Sequence, residues 1–234
     1  MNRTAVQYVT GLDLGQARDF TAIAVLQKSW VEEPWKPGSL VGHYAVRHLE
    51  RLPLGTSYTA VCSRIAELFA TSELSQSLLA VDYTGVGRPV VDMLRRGLLN
   101  AYLVPITITG GQKCRFDTAT GWAVPKRHLI KVLQVLLRHG RIKIAPGLSE
   151  AKTLVREFLN FRVKITPAAN EIFGAWREGL HDDLVLAIAI AAWAGERHAA
   201  AAYTQSAQQP PSSLAKRHAR RWRLEGLGQQ SPGR

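Results

Sequence analysis

Three observations predict an α/β domain built on a mixed central sheet. The first fifty residues hold three strand-like segments separated by short turn-forming stretches, which reads as an antiparallel meander. Short apolar strands then alternate with segments of helical periodicity. A length of 234 residues with 46% hydrophobic content suits one compact domain with an appendage.

In chain order, "QYVTGLDLG" and "FTAIAVLQKS" alternate as strands joined by the tight "GQARD" connection, and "GHYAVRHLERL" follows the Pro/Gly-rich "EEPWKPGS" as the third. "YTAVCSRIAELFATSEL" carries apolar residues at helical spacing, "LLAVDYTG" is a short buried strand, and "GRPVVDMLRRGLL" returns to helix. "AYLVPITIT" reads as another strand and "GGQKCRFDTATGW" as a glycine-led loop. "PKRHLIKVLQVLLRHG" has proline at its start and glycine at its end, the asymmetry of a capped helix. "RIKIAP" is a short edge strand, "LSEAKTLVREFLNF" a helix, and "RVKITPAANEIFGAW" a hairpin-like excursion before a last helix from Asp182. "TGVGRP" fits a strand-to-helix connection better than a phosphate cradle, since a lone G-x-G is common in turns.

The acidic residues are placed tellingly. Asp13 ends the first strand and Asp82 ends "LLAVD"; if these strands are parallel neighbours, both carboxylates emerge at one sheet edge. Asp182 and Asp183 open the most hydrophobic segment of the chain, and packing that helix on the sheet brings its tip to the same edge. Caps and turns also use Asp at such positions, but four converging carboxylates without a His or Cys cluster form a hard oxygen set suited to Mg²⁺ or Mn²⁺. Neighbouring helical residues project about 100° apart, so one of the final pair is expected to be the direct ligand; Asp182 is favoured, with Asp183 orienting a water or a neighbouring group. Cys62 and Cys114 have no metal-ligand spacing and read as inert thiols.

Thirty Lys+Arg against 18 Asp+Glu give a net charge of +12, which points to a polyanion, nucleic acid before membrane. The longest apolar run, Leu184 to Ala194, is about half of the roughly 20 residues a spanning helix needs, and no signal-peptide layout opens the chain, so a soluble, cytoplasmic protein is expected. Lys126 and Arg127, at the start of a helix, are candidate phosphate contacts. Lys216, Arg217, Arg220 and Arg221 lie in a basic stretch that predicts a disordered, DNA-binding tail. His181 is expected to orient a carboxylate or cap the helix rather than assist catalysis; Glu157 falls on a face opposite the core and reads as solvated; Trp122 and Trp176 flank loops and read as closing core edges rather than touching DNA.

"GLDLGQARDFTAIAVL", "LLAVDYTGVGRPVVDMLRRG", "VPKRHLIKVLQVLLRHGRIKI", "LVREFLNF" and "GLHDDLVLAIAIAAW", in this order from about Tyr8 to Ala194, resemble the ribonuclease-H-like nuclease domain of phage terminase large subunits. The resemblance implies a ribonuclease-H-like domain over 1–197, with 198–234 as the basic tail. It further implies a metal-dependent endonuclease that cuts concatemeric viral DNA during packaging, with Asp13, Asp82, Asp182 and Asp183 as ligands and Glu157 as a minor candidate near the DNA. Two-metal phosphodiester hydrolysis bridged by Asp13 is the expected mechanism. Implied partners are double-stranded DNA, a separate packaging ATPase, the small terminase subunit and the portal, with no membrane. No G-x-x-x-x-G-K-[ST] motif occurs and six residues precede the first strand, so no packaging motor is expected here. "GLDLGQARDFTAI" also resembles the phosphate loop of actin-like sugar kinases, which need a second loop and a second lobe. A catalytically impaired DNA-binding remnant of the fold and a junction-resolving nuclease of the same superfold are the competing readings.

Overall fold

The computed structural model describes residues 6–15, 19–33, 35–97, 99–165, 171–175 and 181–197, with the backbone alone for 162–165 and 171–175. The first half contains β1 (Gln7–Asp13), β2 (Ala22–Glu33), β3 (Lys36–Arg51), α1 (Tyr58–Phe69), β4 (Ser77–Asp82), α2 (Gly87–Arg96) and β5 (Ala101–Thr109). The second contains β6 (Arg115–Asp117), β7 (Gly121–Pro125), α3 (Lys126–Arg138), β8 (Ile142–Ile144), α4 (Ala151–Asn160), β9 (Phe161–Ile165), β10 (Glu171–Ala175) and α5 (Asp183–Arg197). The expected α/β architecture with a mixed sheet is the observed one: eight strands in the order β6-β7-β5-β4-β1-β2-β3-β8, with β9 and β10 forming a separate antiparallel pair.

β1, β2 and β3 form the antiparallel meander, and β4 lies parallel to β1 with Val9 opposite Leu78 and Leu12 opposite Val81. β5 and then β7 continue the parallel run, and β8 pairs with β3 as a short parallel edge strand. One expectation is corrected. "GGQKCRFDTATGW" is not all loop, because Arg115–Asp117 pairs antiparallel with Gly121–Pro125 to give a hairpin at the opposite sheet edge. Its turn is closed by Asp117, whose Oδ1 accepts from Ala119 N and Thr120 N, with Gly121 at φ 83.

Strand alternation splits the core into two layers. Leu12, Ile23, Val25, Leu79 and Val81 pack against α1 and α2 on one face. Val9, Ala22, Ala24, Leu78 and Ala80 meet α3, α4 and α5 on the other. α5 is buried from Asp183 through Gly195, which explains a segment apolar on every side. Small residues let it come close. A Cβ on Gly11 would stand 1.9 Å from the Ala187 carbonyl oxygen and 3.0 Å from Ala191 Cβ, so glycine is what allows the helix to cross directly over β1. No helix among the described residues is long and apolar enough to cross a membrane.

Candidate metal centre

Period-2 alternation sets the first two acids. Val9, Gly11 and Asp13 face α5 from β1; Leu78, Ala80 and Asp82 do so from β4, and the parallel register carries both strands to carboxylates at the same sheet edge. Asp13 is buried. Asp82 is half-buried, and its Oδ1 accepts from Thr84 N at 2.8 Å, which orients it at the turn into α2.

The last helix brings the second pair. Asp182 sits just ahead of α5, its carbonyl accepting the first helical bond from Leu186 N at 2.9 Å. Its Oδ2 lies 3.0 Å from Lys126 Nζ, at the start of α3. Asp183 has a different environment. It is buried, and its Oδ2 stands 3.6 Å from Arg51 Nη2 and 3.7 Å from His181 Nδ1 without a hydrogen-bond partner. Asp19 Oδ1 lies 3.9 Å from the same His181 nitrogen, and one ligand atom from each of Asp19, His181 and Asp183 falls within 4.8 Å of the others.

Burial pushes the Asp13 carboxyl well above the usual carboxylate range, and the charges of Asp82, Asp183 and Asp182 push it further, with Lys126 opposing. Asp82 is also raised, by burial, against its bonds to Thr84 and the Lys126 charge. Asp183 is raised to about 6 by burial, against the pull of His181 and Arg51, and Glu157 to about 7, again chiefly by burial. Lys126, Arg51 and His181 thus only partly offset the cost of taking these carboxylates out of water. A buried carboxylate oxygen without a donor, among hard oxygen donors and beside an unpartnered imidazole nitrogen, is what a divalent cation fits.

The charges of Asp82, Asp182 and Asp183 all reach Asp13, and Lys126 joins them as the ion-pair partner of Asp182, while the side chains whose ligand atoms lie within 4.8 Å of one another are Asp19, His181 and Asp183. Arg127 turns to the preceding loop, its Nη2 donating to the Gln112 backbone carbonyl at 3.2 Å and to the Gln112 side chain. Lys216, Arg217, Arg220, Arg221, the whole 198–234 tail and Trp176 lie outside the described residues. Trp122 packs between Phe116 and Trp193 under the Arg197 guanidinium. Glu157 corrects the expectation of a solvated face: it is buried, and its Oε2 accepts from Val185 N at 3.1 Å. Its helix face looks solvated only when α5 is left out. Sequence reasoning passes over Asp19 and Arg51. Asp19 follows Asp13 by six residues in the "GQARD" connection, which is a usable signal. For Arg51 only the tertiary arrangement provides one.

No protein-family model matches the chain. The terminase large subunits of Thermus phage G20c and Thermus virus P23-45 are each 25% identical to it over 185 residues, 79% of this chain. Over this stretch the chain is similar to phage terminase large subunits. It spans 31% of the length of these two curated relatives. The crystal structure of the large terminase nuclease from thermophilic phage G20c matches with a TM-score of 0.54 and 22% identity, covering 80% of this chain and 81% of that one. The HK97 bacteriophage large terminase matches with a TM-score of 0.50 and 17% identity over 82% of this chain and 40% of its own. The chain accordingly shares the fold of these terminase nuclease domains, which is ribonuclease-H-like.

Proposed function

We propose that this chain is a DNA endonuclease dependent on two divalent ions, Mg²⁺ or Mn²⁺, held by Asp13, Asp82 and the Asp182/Asp183 pair. One observation carries the reading: the buried Asp183 Oδ2, without a hydrogen-bond partner, at the α5 tip that Gly11 lets close over Asp13. When bound, the ions would acidify an attacking water and neutralise charge building on the phosphate and leaving oxygen. Asp13 and Asp82 contribute rigidity, each fixed on a central strand. Asp183 contributes charge at the helix N-terminus, where the dipole favours the ionised form. Lys126 holds Asp182 and brings an ammonium beside the acids, where a phosphate would meet it.

The terminase relatives support a substrate of concatemeric viral DNA, cut during packaging in the host cytoplasm together with the packaging ATPase, the small terminase subunit and the portal. Supercoiled plasmid incubated with the protein and Mn²⁺ is expected to be nicked or linearised, with Mn²⁺ outperforming Mg²⁺ because its geometric demands are looser. Cleavage that survives EDTA, or that proceeds at full rate in Asp13→Asn, would overturn the reading.

A further inference from the structure

Arg51 closes β3 and is only 14% exposed, yet it is no ordinary buried ion-pair residue. Its Nη1 stands 3.8 Å from Glu157 Oε1 and its Nη2 3.6 Å from Asp183 Oδ2, while its Nε is buried with no acceptor. Both contacts are charge contacts beyond hydrogen-bond range. The guanidinium lies over the Phe20 ring, 3.7 Å from its centroid, and Phe20 in turn meets the His181 ring edge-on at 4.9 Å. A stack thus runs from the end of β3 to the residue preceding the acid pair. Glu157 ties the same guanidinium to α5 by a second route, because its other oxygen accepts from Val185 N in the first turn.

We propose that Arg51 is a positioning residue for the candidate metal centre: wedged between Glu157 and Asp183 and stacked on Phe20, it fixes the Asp183 carboxylate and keeps it available to a divalent cation. The inference rests on the metal-site reading. Burying a guanidinium is costly unless it compensates nearby charge, and here it lies within 4.0 Å of two buried carboxylates. Without it, Glu157 and Asp183 are left with no cation between them, and repulsion turns Asp183 away from its place. The opposite role, a competitor that occupies the metal's position, does not fit the distances. A competing guanidinium forms direct bidentate bonds to its carboxylate, whereas Asp183 Oδ2 keeps its lone pairs free.

The test is Mn²⁺ binding, read by the loss of the free-ion electron paramagnetic resonance signal, on the full chain and on Arg51→Met and Arg51→Lys, with melting in EDTA as the fold check. Arg51→Met is expected to weaken Mn²⁺ binding on the order of 10- to 100-fold while still melting cooperatively. Arg51→Lys restores the point charge without the planar stack and is expected to fall between the two. Binding that is unchanged or tighter in Arg51→Met overturns the proposal. Should Arg51→Met not fold, Arg51→Lys decides: a loss of about threefold or more supports the role, and wild-type binding overturns it. If the unaltered chain binds no Mn²⁺, the metal-site reading itself has failed, which is distinct from an Arg51 variant that binds like the unaltered chain.

Discussion

Asp182 and Asp183 are adjacent in the chain and differ in everything around them. Asp182 is partly exposed and already engaged by Lys126, whereas Asp183 is buried with one oxygen lacking a donor. These surroundings favour Asp183 as the inner ligand, with Asp182 and Lys126 forming a pair beside it, which reverses the preference that helix geometry alone suggests. Asp183→Asn is expected to abolish both cleavage and thermal stabilisation by Mn²⁺. Asp182→Asn is expected to cost about 10- to 100-fold in cleavage and retain most of the stabilisation. If Asp182→Asn proves the more damaging in both measurements, the two roles are exchanged. The acids themselves are legible in sequence because residue type, strand ends and a helix start announce them. The difference between their surroundings is not, since it depends on a lysine 56 positions away and on Arg51 arriving from β3.

At the scale of elements, α5 does the assembling. Its N-terminus carries the acids across Gly11, and its C-terminus is fastened by Glu196, which accepts from Tyr44 Oη at 2.8 Å and, through both carboxylate oxygens, from Arg141 Nη2 at 2.9 Å. Beneath it, Lys28 from β2 is fully buried, donating to the Gly195 carbonyl with its ammonium 3.9 Å from the centre of the Trp30 ring. Burial lowers the Lys28 ammonium from 10.5 to about 8. Between those values the unfolded chain keeps a proton that the folded chain has released, so stability rises with pH across this window. Urea unfolding at a series of pH values is expected to show that rise in the unaltered protein and a flatter profile in Lys28→Met. An identical slope in both would mean that Lys28 stays charged when folded. The apolar character of α5 is plain in sequence. Its fastening is not, because the partners come from β2, β3 and the segment before β8, and a buried lysine in an alternating strand looks like any other polar position.

The whole molecule sets an acidic centre in a basic body. Six Lys and Arg against one acid follow Arg197, which places +5 of the net +12 in that stretch, while residues 1–197 hold the remainder. The order of strands and helices is readable because alternating and helical periods rarely imitate one another over this length. The β6–β7 hairpin escapes notice because its strands are short and glycine-flanked, and the same shortness hides it from any period. Charge, by contrast, needs no fold to be read, and it yields a prediction that separates holding DNA from cutting it. Replacing Lys216, Arg217, Arg220 and Arg221 with glutamine in the full chain is expected to weaken duplex binding and flatten its dependence on salt. Each phosphate interaction removed should lower the log–log slope by about 0.9. Because such interactions carry no base information, the weakening should be similar for unrelated DNA sequences, and the metal requirement for cleavage should persist once DNA is saturating. A slope unchanged by the four substitutions would make this basic stretch a bystander and leave any DNA binding to the charges of residues 1–197.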